Sequence, residues 1–191
     1  MHLDEIELKA NDGRIFTLRS LKESDAEAAI AHMGRIYADC PYMSRYADEW
    51  NMGVEDERLF LERAHNDEHR LMVGAFFEGR LVAIAEFSRI HAVSKMAHRC
   101  SCSIAIADPY CGIGLGTAMM QTLIETAQRV GYEQMELEVV GENATAIALY
   151  RKLGFIEYGR NPRGFKNRDG SYSDLLSMLL ILSGEAPTPS L

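Results

Sequence analysis

Residues 103–117, Ser-Ile-Ala-Ile-Ala-Asp-Pro-Tyr-Cys-Gly-Ile-Gly-Leu-Gly-Thr, restrict the fold more than any other stretch of the chain. The segment 99–107 places Ser101, Ser103, Ala105 and Ala107 on one face and Cys100, Cys102, Ile104 and Ile106 on the other, the period of two of a β-strand. It runs into a turn with glycine at every second position, Gly112, Gly114 and Gly116, after which 115–130 reads as a helix closed by Gly131. Strand, glycine turn and helix in that order present successive backbone N–H groups at a helix N-terminus, where partial positive charge collects. Such a turn suits a phosphate or pyrophosphate, and equally a tight strand-to-helix connection without ligand. A P-loop would end in Gly-Lys-Ser/Thr, which is absent. A dinucleotide fingerprint needs GxGxxG on the first βα turn with an acid about 20 residues later. Glu136 lies near that distance, but position 119 is Met119 and the turn falls past mid-chain.

The flanking sequence supplies the other elements. Segments 5–9 and 14–19 form a hairpin around Asn11-Asp12-Gly13, because Asp-Gly provides the positive φ of a tight turn. Ser24, Asp25 and Glu27 start a helix that continues to about 37, and a second helix spans 55–65. Between them Pro41, Tyr42, Tyr46 and Trp50 make an irregular aromatic stretch, and these pieces are expected to line a pocket or lid. Strands 71–77 and 81–90 form a buried hairpin. After the glycine turn and its helix come a strand at 135–140 and a short helix at 144–153, capped by Asn143 and ended by Gly154. Segments 155–158, 164–166 and 172–182 read as a closing hairpin around Asp169-Gly170. Helices interleaved with strands on a mixed sheet indicate an α/β or α+β fold. A single domain over 1–182 is predicted, followed by a loose tail over 183–191 with two prolines.

Charge narrows the partners. Asp and Glu number 28 against 20 Lys and Arg, a net charge of −8. Nucleic acid and anionic membrane surfaces are held by clustered basic residues, so neither is expected as a partner. The first residues carry acids where a signal peptide carries basic residues and an apolar run, and no stretch has the roughly 20 apolar residues of a membrane span. A cytoplasmic protein is predicted, with Cys40, Cys100, Cys102 and Cys111 as free thiols. His65-Asn66-Asp67-Glu68-His69 matches an HxxEH zinc pattern, but it falls where a helix ends. Cys100-x-Cys102 lacks the second pair of a zinc site. No metal is predicted.

Asn143-Ala-Thr-Ala-Ile-Ala-Leu-Tyr150-Arg-Lys-Leu-Gly-Phe155, following a strand after the glycine turn and its helix, carries the decisive pattern. Over about 76–182 the chain resembles the GNAT superfamily of acetyl-CoA-dependent N-acetyltransferases. The family's pyrophosphate loop, Gln/Arg-x-x-Gly-x-Gly/Ala, maps onto 111–116, with Cys111 where Gln or Arg is usual. The backbone N–H groups persist there, and a thiol at a helix N-terminus would have its pKa lowered. The ending Asp169-Gly-Ser-Tyr-Ser-Asp174-Leu-Leu-Ser-Met178 is similar to one branch of the family and puts Asp174 near the substrate end.

The resemblance implies a mixed, mostly antiparallel central sheet flanked by helices, with acetyl-CoA as acyl-donor cosubstrate. It assigns Cys111, Gly112, Gly114, Gly116 and Thr117 to the cofactor loop, Asn143 to the pantetheine arm as well as a helix cap, and Tyr150 to protonation of the CoA thiolate. It assigns the backbone of Ile106 and Ala107 to the thioester carbonyl. A Lys-like amine with pKa about 10.4 is more than 99% protonated at pH 7, so a base or proton wire is needed. Glu86 and Glu138, acids on strands, are the candidates beside a water chain. The predicted activity is direct acetyl transfer to a primary amine, borne by a small molecule or a peptide. A non-catalytic acyl-CoA-binding or sensor domain is the alternative. The aromatic stretch suits a core, an acceptor site or a homodimer interface alike.

Overall fold

A computed structural model describes residues 1–183; residues 184–191, most of the predicted tail, lie outside them. The elements are β1 (Ile6–Lys9), β2 (Ile15–Ser20), α1 (Ala26–Asp39), α2 (Val54–Asn66), β3 (Arg70–Phe77), β4 (Arg80–Arg89) and β5 (Arg99–Ile106). They continue with α3 (Leu115–Arg129), β6 (Gln134–Val140), α4 (Ala144–Lys152), β7 (Ile156–Lys166) and β8 (Tyr172–Ile181). The strand order is β1-β2-β3-β4-β5-β6-β8-β7. Among the described strand pairs β5 and β6 run parallel and the others antiparallel, so the predicted mixed, mostly antiparallel α/β sheet is what the chain forms.

Two compact units share this order. One comprises Met1–Ser88 with Ser103–Leu123, the other Arg89–Cys102 with the chain from Ile124 onward, so β5 and α3 each contribute to both. In the first unit β1 to β4 are antiparallel neighbours. Alternation drives their burial: Phe16 and Leu18, Leu71, Val73 and Ala75, and Ala83, Ala85 and Phe87 turn one way and are almost fully buried. The register shift at Ala75/Phe76 brings Leu81 to the opposite face with Met72, Phe76 and Ile84, and there α1 packs with a stripe of Ala26, Ala29, His32 and Ile36, spaced three to four residues apart. Leu21, Ala26, Ala29, Leu61 and Leu81 form a core cluster with α2. At the start of α1 the Asp25 carboxylate accepts two hydrogen bonds from Arg19 at 2.7 and 2.8 Å and one from the Lys22 N–H at 2.8 Å.

The aromatic stretch packs back on α1. Trp50 donates to the Ile30 carbonyl at 3.3 Å, lies 5.1 Å from the Tyr37 ring, and rests against Gly34. His65 ends α2 and bonds the Leu21 carbonyl at 3.2 Å, whereas His69 lies beyond the helix, so the two histidines of the HxxEH match share no helix face.

In the second unit Arg99–Ser101 of β5 pairs in parallel with β6, and β8 runs antiparallel along all of β6. Cys100, Cys102, Met135, Leu137, Phe155 and Met178 fill this core. The first arm of the closing hairpin is one eleven-residue strand rather than two short pieces. Two register shifts, at Glu157/Gly159 and Asn161/Phe165, absorb the irregular sequence that disguises it. No described helix is long and apolar enough to cross a membrane.

Candidate active site

β5 leads through a 3-10 turn, Asp108–Tyr110, into the glycine segment. The first intrahelical bond of α3 runs from the Ala118 N–H to the Gly114 carbonyl at 3.1 Å. The amides of Leu115, Gly116 and Thr117 therefore precede the helical ladder and have no partner within it. Gly112 and Gly114 hold φ of +75° and +91°, a conformation that side-chain-bearing residues rarely adopt.

A brace that the sequence reading did not assign holds this loop from the β1–β2 turn. The Asn11 N–H donates to the Ile113 carbonyl at 2.9 Å, and the Asn11 side chain lies 3.0 Å from where a Cβ on Gly114 would stand. Arg14 donates to the Pro109 carbonyl at 3.1 Å and to Asp12 at 2.6 Å, with its guanidinium 5.1 Å from the Tyr110 ring centre. The only local clue is the Asn-Asp-Gly turn; its meeting with residues about 100 positions later is tertiary.

Two backbone expectations change. The Ala107 N–H donates to the Val82 carbonyl at 3.0 Å and the Cys111 N–H to the Asp108 carbonyl at 3.1 Å, so neither amide is free for a ligand. Of the predicted pair on β5, the Ile106 N–H is left, and in extended backbone it points opposite to that of Ala107. The Cys111 thiol is 3.8 Å from the Ile106 carbonyl and 3.9 Å from that of Ala107. Partial burial, with Asp108 and Cys40 nearby, pushes its pKa up rather than down, contrary to a thiol activated by a helix N-terminus.

Glu86 sits on β4 with 28% of its side chain exposed and Oε2 buried. Arg70 is 3.8 Å away, an ion pair without a hydrogen bond, and Oε2 has no hydrogen-bond partner. Burial raises the Glu86 pKa and the Arg70 charge opposes this only in part. The bonds from Ala107 to Val82 and from Ile90 to Arg99 give β4 and β5 one antiparallel register, which sets Glu86 level with Ser103, an exposed residue in mid-strand.

His32, unassigned by sequence, is another buried titratable group beside β5. It has no exposed surface, and its Nε2 lies 3.2 Å from the Ala105 carbonyl. Burial lowers its pKa to about 4. An imidazole on the apolar stripe of α1 has no signature short of knowing which strand the helix covers.

In the second unit Asn143 caps α4 as predicted, accepting from the Ala146 N–H at 3.1 Å. Tyr150 is 6% exposed, with its ring 5.8 Å from that of Phe155. Burial, then the neighbouring Cys102, push its pKa up, so the phenol is neutral. Cys102 is pushed up as well and Cys100 to about 12, both chiefly by burial. Glu138 is exposed on β6, across from Ser177. Asp174 is bound by Arg160 at 2.7 Å. No group of three or more metal-ligating side chains occurs among the described residues.

The sequence model of the acetyltransferase (GNAT) family matches residues 31–155. The chain belongs to the GNAT acetyltransferase family. A GNAT-family acetyltransferase from Streptococcus pneumoniae shares the fold with a TM-score of 0.82, at 24% identity over 88% of this chain and 99% of that one. A Sinorhizobium meliloti phosphinothricin acetyltransferase, solved in complex with AcCoA, gives 0.78 at 21% identity over 96% and 94%. A Pseudomonas aeruginosa L-methionine sulfoximine/L-methionine sulfone acetyltransferase is 24% identical over 143 residues, 73% of this chain and 83% of its own.

Proposed function

We propose that the protein moves an acetyl group from acetyl-CoA directly to a primary amine. The observation that carries this reading is the cradle at 112–117, whose first helical amides lack ladder partners within a GNAT chain. Those amides take the CoA pyrophosphate, and Gly112, with nothing within 4 Å of where its Cβ would stand, leaves the approach open. The Ile106 N–H donates to the thioester carbonyl, where negative charge develops as the amine adds. Glu86 takes the ammonium proton, directly or through water; its raised pKa brings a carboxylate closer to the operating pH. Glu138, exposed on β6, is the weaker choice. Tyr150, neutral and buried, gives its proton to the departing thiolate. Asn143 fixes the helix that carries it and contacts the pantetheine arm.

The acceptor is an amine on a small molecule or a peptide. The net charge of −8 favours cationic acceptors, and the acceptors named for two of the relatives above are compounds of amino-acid type. We place the protein in the cytoplasm, where its four free cysteines stay reduced.

Two measurements test this. At 100 times its Kd, acetyl-CoA should stabilise the fold by about 2.7 kcal/mol and raise Tm by several degrees. CoA thiol release should then depend on an added amine across a panel of amino acids, polyamines and peptides. Binding without release from any amine would favour the sensor alternative, and no Tm shift at millimolar acetyl-CoA would refute the cofactor.

A further inference from the structure

His32 occupies a position on α1 that Ala26, Ala29 and Ile36 mark as apolar core, and it is wholly buried. A carbonyl oxygen only accepts, so the 3.2 Å contact with the Ala105 carbonyl fixes the proton on Nε2 and leaves Nδ1 a bare acceptor. Nδ1 has no hydrogen-bond partner. A leucine there would bury more apolar surface and strand no acceptor. What the imidazole adds is one N–H donated to one carbonyl.

That carbonyl is not an ordinary one. The Ala105 C=O and the Ile106 N–H belong to the same planar trans peptide and point in opposite directions. Ala107, the next residue, commits its own N–H to Val82 on β4, so the Ile106 N–H faces the other edge of β5. A hydrogen bond accepted at the oxygen of a peptide withdraws charge from its N–H and strengthens that group as a donor. We infer that His32 is a positioning residue for acetyl transfer: it holds and polarises the Ala105–Ile106 peptide so that the Ile106 N–H donates to the thioester carbonyl of acetyl-CoA. This rests on the proposed role of Ile106 in polarising the thioester.

His32→Phe keeps a ring of similar size without the donor, His32→Leu is a second donor-free variant that suits an apolar stripe, and His32→Gln restores an N–H near the Nε2 position. Deleting an oxyanion donor outright costs roughly 100- to 1,000-fold, so removing its support should lower kcat about 10- to 100-fold. KM for acetyl-CoA should stay within about threefold, because the pyrophosphate cradle is untouched, and His32→Gln should recover most of kcat. The carbonyl stretch of bound [1-13C]acetyl-CoA gives a readout that core damage does not move. It should lie lower in the wild-type complex than in solution and return toward the solution value in His32→Phe or His32→Leu. An equal shift in wild type and in whichever donor-free variant folds would overturn the role of His32 while leaving acetyl transfer intact. A wild-type complex with no carbonyl shift would remove the Ile106 donor and this inference together.

Discussion

Burial makes the phenolate of Tyr150 and the carboxylate of Glu86 both harder to form, and the consequences differ because the ordinary pKa values of the two groups lie on opposite sides of neutrality. Tyr150 keeps its proton over the whole working range and can act only as an acid there. Tyr150→Phe removes the hydroxyl and little else, so kcat should fall about 100-fold while KM for acetyl-CoA stays within about twofold. Steady-state kinetics with a saturating amine decides this, and unchanged turnover would take Tyr150 out of the mechanism. As the proposed base, Glu86 would work only when ionised, so the acid limb of kcat/KM should fall above the usual glutamate range, displaced in the direction burial imposes. In Glu86→Gln that limb should vanish and the rate below pH 8 should drop about tenfold or more. A limb that persists unchanged in the variant assigns the base elsewhere. Tyr150, with its pKa raised, should add no basic limb below about pH 10.

The elements divide into those fixed by neighbours in sequence and those fixed by distant partners. Helix α1 begins where Asp25 gathers Arg19 and the Lys22 amide, with side chains 21% and 10% exposed for Arg19 and Asp25. Asp25→Asn should cost about 2–4 kcal/mol at pH 7, a Tm loss of about 5–15 °C. The Asp25 carboxyl is shifted downward, with burial opposing and the Arg19 and Lys22 hydrogen bonds prevailing. Its stabilisation is complete above the unfolded value near 3.9 and is lost as pH falls through the lower folded value. The Tm gap between wild type and variant should therefore hold from pH 7 to about 5 and close in stronger acid. In the loop, Gly112→Ala meets only the unfavourable φ, since nothing lies within 4 Å of the added methyl, whereas Gly114→Ala meets both φ and the Asn11 side chain at 3.0 Å. KM for acetyl-CoA should rise more in Gly114→Ala, by about tenfold against a few-fold, and equal effects would mean that Asn11 yields freely. The glycine spacing, the Asn143 cap and the strand alternation were legible in sequence because each is a local signal. The capture of the Ala107 amide by Val82, the bond from His32 to Ala105 and the brace from Asn11 and Arg14 were not. Each joins residues about 25 to 100 positions apart, and no short-range pattern records which carbonyl a strand neighbour will take.

For the whole molecule, the proposed site lets acidity and anion binding coexist, because there the anion would be met by backbone rather than by basic side chains. A net charge of −8 repels CoA at long range, while the amides proposed to hold it at 112–117 would act only at contact, where they are screened little. This fixes the sign of the salt effect. A site built from lysines and arginines loses affinity steeply as salt rises, with a log–log slope near the number of neutralised phosphates. Here added salt screens the repulsion and leaves the contact bonds in place. KM for acetyl-CoA should thus stay level or fall between about 25 and 300 mM KCl, with kcat little changed, whereas a cationic acceptor drawn by the same net charge should show a rising KM. Titrating both substrates over that range separates the two effects in one experiment. A KM for acetyl-CoA that climbs with a slope of two or more would mean that basic side chains, not the glycine cradle, hold the cofactor.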